Sequence, residues 1–271
     1  MKIFSSSQQN ALNSQGFFKT PFFGKEEIKE LEKLFYSYFQ EEDIAFFFDS
    51  LTGSRNADIR REIHHHILDI CNPHLEKIIA NFFPVIAMFY TKKSGNNSEL
   101  GMHIDPSMTL ADFHHLGIWI PLSGADEVTG KICFLSGTQK TIPPYHALSI
   151  NNPFKIVSEE LKPSMECVEV NPGEAVVFDN NLLHYTQRNL SGKLRIAIIV
   201  KIIDANAPLV SPFYNKNLKV PAIEFYQHQP DYYLSDSFQQ LAIPANSIKL
   251  DFTIPEPMAF EKQDINKFRK T

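Results

Sequence analysis

The sequence predicts a mainly-β fold, a sandwich or jelly roll, with helices packed on its outside. Two features of the chain favour this class. From Val85 onward, short segments rich in β-branched and aromatic residues alternate with turn residues such as Asn171-Pro172-Gly173. Many short strands in succession are typical of β-sandwiches and jelly rolls. Before Val85, apolar residues recur instead at the three- and four-residue steps of amphipathic helices.

The region before Val85 is predicted to form a support of helices and one short strand beside the sheet. The predicted elements are a strand at 16–19 and helices at 25–41, 58–71 and 74–82. In the first helix, one apolar face contains Ile28, Leu31, Leu34, Phe35 and Tyr38. Prolines set the ends of the other two helices, because Pro73 follows the second and Pro84 follows the third.

Six segments after residue 84 have the composition of strands. Their bounds are 85–90, 117–122, 131–135, 165–170, 175–178 and 194–203. Each is short, rich in β-branched or aromatic residues, and bounded by turn residues. They predict that residues 85–203 form the core of the fold.

The last part of the chain, residues 204–271, contains many prolines and aromatic residues. This composition predicts an irregular extension packed on the core, acting either as a lid over a substrate or only as a support. A chain of 271 residues is long enough for one large β domain. We therefore expect a single domain over residues 1–271, with residues 1–84 as the support and residues 85–203 as the core.

Charge and hydropathy argue against nucleic acid and membrane as partners. The net charge is −5 and the isoelectric point is near 6.1, whereas nucleic-acid-binding domains are usually basic. No apolar run reaches the roughly 18 residues of a membrane helix. The first residues contain no apolar segment of signal-peptide length either.

The three cysteines, Cys71, Cys133 and Cys167, are odd in number and far apart in the chain. This pattern favours reduced thiols over a disulfide framework or a zinc site. It predicts a cytoplasmic protein.

His103, Asp105 and His184 are the candidate metal ligands. In Gly101-Met102-His103-Ile104-Asp105, the histidine and the aspartate are two residues apart, so on an extended segment both side chains point to the same side. His184 follows much later in the chain. Two imidazoles and one carboxylate on one face of a metal leave three positions open, as in non-heme Fe(II) oxygenases. Taken alone, the His-x-Asp pair also fits an ordinary strand-end histidine and a solvated aspartate.

Further elements follow this pair in a fixed order. They are Trp119-Ile120-Pro121-Leu122, a glycine-started segment at 130–140, the turn Asn171-Pro172-Gly173-Glu174, His184 and, eleven residues later, Arg195. With this order, residues 85–203 resemble the phytanoyl-CoA dioxygenase family of Fe(II)- and 2-oxoglutarate-dependent oxygenases. Ser136 and Gln139 depart from the proline and histidine usual in the first turn of that family. Neither position is an expected metal ligand.

The resemblance implies a double-stranded β-helix, the cupin-like form of the jelly roll. It implies that His103, Asp105 and His184 hold Fe(II) at one mouth of the barrel, where 2-oxoglutarate and O2 take the open positions. Related halogenases have a small residue in place of the carboxylate. Asp105 therefore favours oxygenation.

Arg195 is the candidate ligand of the cosubstrate. It lies in the apolar run Leu194–Val200, where a guanidinium is costly to bury unless it is paired. Its planar fork suits a carboxylate. Its offset from His184 resembles that of the family's cosubstrate arginine, which binds the distal carboxylate of 2-oxoglutarate. The run alone fits a structural ion pair equally well.

Two more residues are assigned to the cosubstrate site by the resemblance. Trp119, the single tryptophan, matches a tryptophan beside 2-oxoglutarate; its alternative role is core packing. Lys92 lies where some members place a lysine near 2-oxoglutarate; its alternative is a solvated lysine at a strand end.

The predicted function is hydroxylation of an unactivated C–H bond in a small molecule, with formation of succinate and CO2. An amino acid, a natural-product intermediate or an acyl derivative would serve as substrate. No strongly basic cluster suggests a site for the phosphates of CoA, which favours a small polar substrate. The alternatives are desaturation or ring formation by the same cofactors, a non-catalytic metal-binding β-sandwich that senses a ligand, and a zinc hydrolase. Iron- and oxygen-dependent succinate formation separates the oxygenase from the last two.

Overall fold

Two antiparallel sheets form the centre of the fold. The computed structural model describes residues 1–44, 48–49, 55–147, 152–255 and 260–261. The strands are β1 (Lys2–Ile3), β2 (Phe17–Pro21), β3 (Phe48–Asp49), β4 (Ile79–Ala80), β5 (Phe82–Lys92), β6 (Leu100–His103), β7 (His115–Pro121), β8 (Ile132–Phe134), β9 (Glu166–Val168), β10 (Glu174–Asp179), β11 (His184–Thr186), β12 (Arg195–Asp204), β13 (Val210–Asn215), β14 (Ala222–Gln227) and β15 (Ile248–Pro255). The helices are α1 (Ser6–Gln15), α2 (Lys25–Tyr38), α3 (Ala57–Leu75), α4 (Ser158–Leu161) and α5 (Asp236–Gln239).

The two sheets confirm the predicted mainly-β jelly roll. The major sheet has the strand order β2-β10-β7-β12-β5-β3, and the minor sheet has the order β6-β11-β8-β9. All six strands predicted after residue 84 are present, with ends shifted by a few residues. Aromatic side chains from both sheets meet between them, since the Phe134 ring lies 4.5 Å from Phe17 and 5.5 Å from Phe178.

Strand β12 is apolar almost throughout because it is buried on both faces. Ile196, Ile198, Val200 and Ile202 belong to an outer cluster that the helices α2 and α3 cover. Ala197, Ile199 and Ile203 belong to the inner cluster between the sheets. Since side chains alternate along a strand, the odd-numbered Arg195 and Lys201 also lie on the inner face. Both are buried there.

The predicted helix at 74–82 is wrong. A single helix, α3, runs through Pro73 to Leu75, and the chain then forms β4 and enters β5 at Phe82. A proline removes one backbone donor. Pro73 does so in the last turn of α3, where the loss ends the helix within a few residues instead of separating two helices. The segment Ile79–Ala80 is extended because it pairs with β1.

The predicted irregular extension after residue 204 is also corrected. Strands β13, β14 and β15 form a three-stranded antiparallel sheet. Pro212 lies within β13, which is tolerable because β13 is an edge strand of this sheet. Strand β15 is largely exposed, although its sequence alternates apolar and polar residues from Ile248 to Thr253. Within the described residues, no helix is long and apolar enough to cross a membrane.

The expectation of three reduced thiols is wrong for two of them. Cys133 on β8 and Cys167 on β9 are directly opposite in the register and form a disulfide. Cys71 is a free, buried thiol. The pairing depends on a strand register that spacing along the chain does not show. The cysteines therefore give no support to a cytosolic location.

His64 provides a pH-dependent test of the packing of α3 on the major sheet. Its Nδ1 accepts a 2.9 Å hydrogen bond from the backbone N–H of Ala87. Burial, and then the neighbouring His65, lowers the pKa of His64 to about 4. The unfolded chain therefore binds a proton before the folded one does, and His64 costs stability as the pH falls from about 6.5 toward 4.

We expect His64→Asn, which keeps an acceptor but cannot be protonated, to remove part of this acid sensitivity. The stability lost between pH 7 and pH 4 should be smaller in the variant by up to about 3 kcal/mol. Urea unfolding across this pH range measures the difference. Parallel pH profiles for the two proteins would contradict the assignment.

Candidate metal centre

The three predicted metal ligands lie together at one end of the space between the sheets. His103 ends β6, and His184 begins β11 directly opposite it in the register. Their ring centroids are 4.3 Å apart. Asp105 follows β6 by two residues, and its Oδ1 and Oδ2 lie 3.8 Å from the Nε2 atoms of His103 and His184, respectively. One ligand atom from each residue falls within 4.8 Å of the others, the single such cluster among the residues described.

Backbone carbonyls orient both imidazoles. The Nδ1 of His103 lies 2.7 Å from the carbonyl oxygen of Gly101, and the Nδ1 of His184 lies 2.8 Å from that of Leu182. A carbonyl only accepts hydrogen bonds, so each Nδ1 carries the proton and donates. In the neutral form of either ring, Nε2 then keeps a free lone pair. Burial, and then His103, lowers the pKa of His184 to about 3, so this ring is neutral at physiological pH.

The carboxylate of Asp105 is ionised. Burial alone would raise its pKa, but the Lys201 ammonium and the two imidazoles together lower the pKa below its usual range. Lys201 donates a hydrogen bond to Oδ2 of Asp105 and a second one, of 2.8 Å, to Oδ1 of Asn180. Two imidazole nitrogens and one ionised carboxylate are the donor set that suits Fe(II). Carbonyl partners at both Nδ1 atoms are also typical of histidines that bind metals.

Lys201 is a residue of the site that the sequence analysis missed. A signal was available, because a lysine in the apolar run of β12 faces the same cost of burial that singled out Arg195. Its ammonium lies 4.7 Å from the centre of the Phe178 ring.

Arg195 begins β12 and is 3% exposed. Its Nη1 donates to the carbonyl oxygens of Thr129 and Gly130. Its Nε has no partner, and Arg195 forms no ion pair with a carboxylate of the described residues. Burial lowers the pKa of Arg195 to about 10, so it stays charged at neutral pH. This guanidinium therefore has free donors for a carboxylate that the described protein residues do not supply.

Trp119 and Gly130 shape the surroundings of Arg195. The Trp119 ring is 5.2 Å from the guanidinium carbon, and its side chain is almost wholly buried. Gly130 has φ +92°, and a Cβ there would lie 2.5 Å from the carbonyl oxygen of Gln187. Only glycine fits this close approach.

Lys92 is not the solvated strand-end lysine of the alternative interpretation. It is fully buried on β5, opposite Arg195 in the register. Its ammonium donates to the carbonyl oxygen and hydroxyl of Thr186, at 3.2 and 2.6 Å, and to the carbonyl oxygen of Gln187 at 2.7 Å. Burial, and then Arg195, lowers the pKa of Lys92 to about 6. Lys92 thus ties β5 to β11, the strand that begins with His184.

A jelly roll with two histidines and one carboxylate converging between its sheets defines the class of non-heme iron oxygenases. The family model described as phytanoyl-CoA dioxygenase (PhyH) matches residues 12–197. The chain therefore belongs to this family, and it is an Fe(II)/2-oxoglutarate-dependent oxygenase whose cofactors are Fe(II), 2-oxoglutarate and O2. No curated protein matches the chain in sequence.

Solved structures support the fold. EvdO2 from Micromonospora carbonacea var. aurantiaca, complexed with 2-oxoglutarate, is 17% identical, with a TM-score of 0.53 over 75% of this chain and 92% of that one. The carbocyclase SnoK from nogalamycin biosynthesis is 16% identical, with a TM-score of 0.52 over 76% and 86%. HygX from Streptomyces hygroscopicus, with nickel, 2-oxoglutarate and hygromycin B bound, is 14% identical, with a TM-score of 0.50 over 73% and 87%.

Proposed function

We propose that His103, Asp105 and His184 bind the Fe(II) and that the protein hydroxylates a C–H bond of a small polar molecule. The convergence of three ligand atoms within 4.8 Å carries this proposal. When bound, the iron supplies the oxidation, in which 2-oxoglutarate and O2 are converted to succinate, CO2 and the oxygen atom of the product. The two carbonyl-bound imidazoles and the ionised carboxylate are oriented toward one point, where they would hold the metal.

Arg195 is the proposed partner of the distal carboxylate of 2-oxoglutarate. The unpaired Nε and the absence of a protein carboxylate on it, within the described residues, support this role. Trp119 would form one wall of the same pocket. Lys92, opposite Arg195 on β5, is proposed to border the same pocket, while its Nζ hydrogen bonds are already used to fix β11.

The prime substrate is proposed to enter a cavity beside Asp105. This cavity has a volume of about 170 Å³. Its polar lining includes Thr109, Asp112, His114, Asp179, Asn180 and Asn181. Asn180 connects the cavity to the metal centre, because its amide donates to the carbonyl oxygen of Asp105 at 3.2 Å. No lysine or arginine is among the described lining residues, which disfavours a CoA thioester and favours a neutral or cationic polar substrate.

The C-terminal sheet is proposed to support this cavity rather than to move as a lid. Tyr233 donates to the carbonyl oxygens of Ser107 and Val210, at 3.3 and 2.7 Å. Val210 in turn donates its backbone N–H to Met108 at 2.9 Å. These bonds hold the segment that follows Asp105. Residues 1–271 are accordingly proposed to act as one domain, with residues 85–203 as its core.

The decisive experiment is a substrate screen with Fe(II), 2-oxoglutarate and O2. Amino acids, amines and sugar derivatives are tested for substrate-stimulated succinate formation, and the products are analysed by mass spectrometry. We expect a product that has gained one oxygen atom. A product that has lost two hydrogens would replace hydroxylation with desaturation or ring formation. Absence of iron-dependent succinate formation with every compound would favour the ligand sensor.

A further inference from the structure

Lys201 lies in the major sheet at a position where its neighbour on the adjacent strand leaves room for the side chain. It is 6% exposed, and its register partner on β7 is Gly117. A Cβ at Gly117 would lie 2.8 Å from the Lys201 Nζ and 2.5 Å from Cζ of Phe178. A larger residue at this position would therefore displace the ammonium from Asp105. A buried ammonium is costly unless it is paired, and both of its partners, Asp105 and Asn180, lie at the metal centre.

The ion pair divides the two oxygens of the carboxylate between two tasks. Oδ2 of Asp105, 3.8 Å from Nε2 of His184, accepts the hydrogen bond from Lys201, whereas Oδ1, 3.8 Å from Nε2 of His103, does not. Oδ1 is therefore the oxygen that remains available to a metal. A chelating keto acid and O2 together need three positions on an iron that is held by three protein atoms. A carboxylate that bound through both oxygens would take one of those positions.

We propose that Lys201 is a positioning residue that keeps Asp105 a one-oxygen ligand and so preserves the position that 2-oxoglutarate needs. This inference rests on the proposed assignment of His103, Asp105 and His184 as the iron ligands. It predicts that metal binding and 2-oxoglutarate binding change independently of each other. Loss of the ammonium should not weaken metal binding, because it removes a nearby positive charge and frees a second oxygen. It should weaken the binding of 2-oxoglutarate to the metal-loaded protein.

The test compares the wild-type protein with Lys201→Met and Lys201→Arg. Co(II) titration, followed by the visible absorbance of the bound ion, reports metal affinity and coordination. Anaerobic titration of the Fe(II) protein with 2-oxoglutarate, followed by the absorbance of the keto-acid chelate, reports cosubstrate binding. For Lys201→Met we expect unchanged or tighter Co(II) binding, an altered Co(II) spectrum, and half-saturation at roughly 10-fold or more higher 2-oxoglutarate. Lys201→Arg retains a cationic donor and should restore most of the difference.

Two other results would contradict the proposal or the assignment on which it rests. A wild-type Co(II) spectrum and a wild-type 2-oxoglutarate curve in Lys201→Met would overturn the role of Lys201, even if the melting temperature of the metal-free protein falls. A wild-type protein that binds neither Co(II) nor Fe(II) would instead overturn the iron-site assignment. If Lys201→Met does not fold, Lys201→Leu, which likewise has no donor, enters the same two titrations with the same expected direction.

Discussion

Replacing His103 or His184 with alanine is expected to abolish iron-dependent succinate formation. Each imidazole presents its Nε2 to the same point, and each is held there by a carbonyl at its Nδ1. Loss of an outer contact to a ligand typically costs 10–100-fold in metal affinity. Loss of a ligand itself should cost more than roughly 100-fold, because two remaining donors hold Fe(II) poorly.

Asp105→Ala should remove activity and also lower stability. The substitution leaves the Lys201 ammonium buried without its carboxylate, and breaking a buried ion pair in this way costs roughly 3–5 kcal/mol. The double variant Asp105→Ala/Lys201→Met removes both charges. We expect it to recover most of the stability and none of the activity. This pattern distinguishes loss of the metal ligand from loss of the fold.

Metal content after dialysis, succinate formation and urea unfolding measure these effects. His65→Ala is the matched histidine control, since His65 is exposed on α3 and forms no part of the cluster. It should bind iron like the wild-type protein. Full activity in any of the three ligand variants would refute the assignment of that ligand.

The jelly roll and the candidate ligand pair His103 and Asp105 could be predicted from local patterns, whereas His184 was assigned through the family pattern. The strands of the two central sheets are short apolar segments, and the side chains of His103 and Asp105 point the same way on an extended chain. Arg195 stood out because a lone charge in an apolar strand needs a partner. The same rule applies to Lys201, six residues farther along β12, which is not part of the family pattern quoted above.

What the sequence did not predict depends on contacts between distant segments. The partner of Lys201 is Asp105, which follows β6 of the minor sheet, so only the packing of the two sheets brings that pair together. The disulfide likewise needs Cys133 and Cys167 opposite each other on β8 and β9. Strand β15 is an exception, because the alternation of apolar and polar residues from Ile248 to Thr253 is a local signal that predicts a strand. Pro73 was expected to separate two helices. It lies instead within the final turn of α3, which continues to Leu75.

Arg195→Met is expected to weaken 2-oxoglutarate binding far more than binding of the prime substrate. Methionine keeps much of the length and apolar contact of the side chain and removes its donors. Loss of one partner of a buried, charged hydrogen-bonding pair costs about 2–5 kcal/mol, which is roughly a 30-fold loss or more. Arg195→Lys should recover only part of this, because an ammonium cannot offer the planar fork.

The fluorescence of Trp119 should report 2-oxoglutarate binding in the absence of the prime substrate. This residue is the single tryptophan of the chain, and its ring lies 5.2 Å from the guanidinium carbon of Arg195. Anaerobic addition of 2-oxoglutarate to the Fe(II) protein should change its fluorescence. That change should saturate together with the absorbance of the keto-acid chelate. In Arg195→Met, both curves should move to higher 2-oxoglutarate by the same factor.

The control is Lys193→Met, which removes an exposed cation two residues away and should leave both curves in place. An unchanged 2-oxoglutarate curve in Arg195→Met would mean that the carbonyl oxygens of Thr129 and Gly130 are the main partners of Arg195. Its role would then be to hold the start of β12 against the segment that precedes β8. A normal chelate band with silent fluorescence would place Trp119 outside the cosubstrate pocket, while the assignments of Arg195 and of the metal ligands would stand, because the chelate band depends on them and not on the indole.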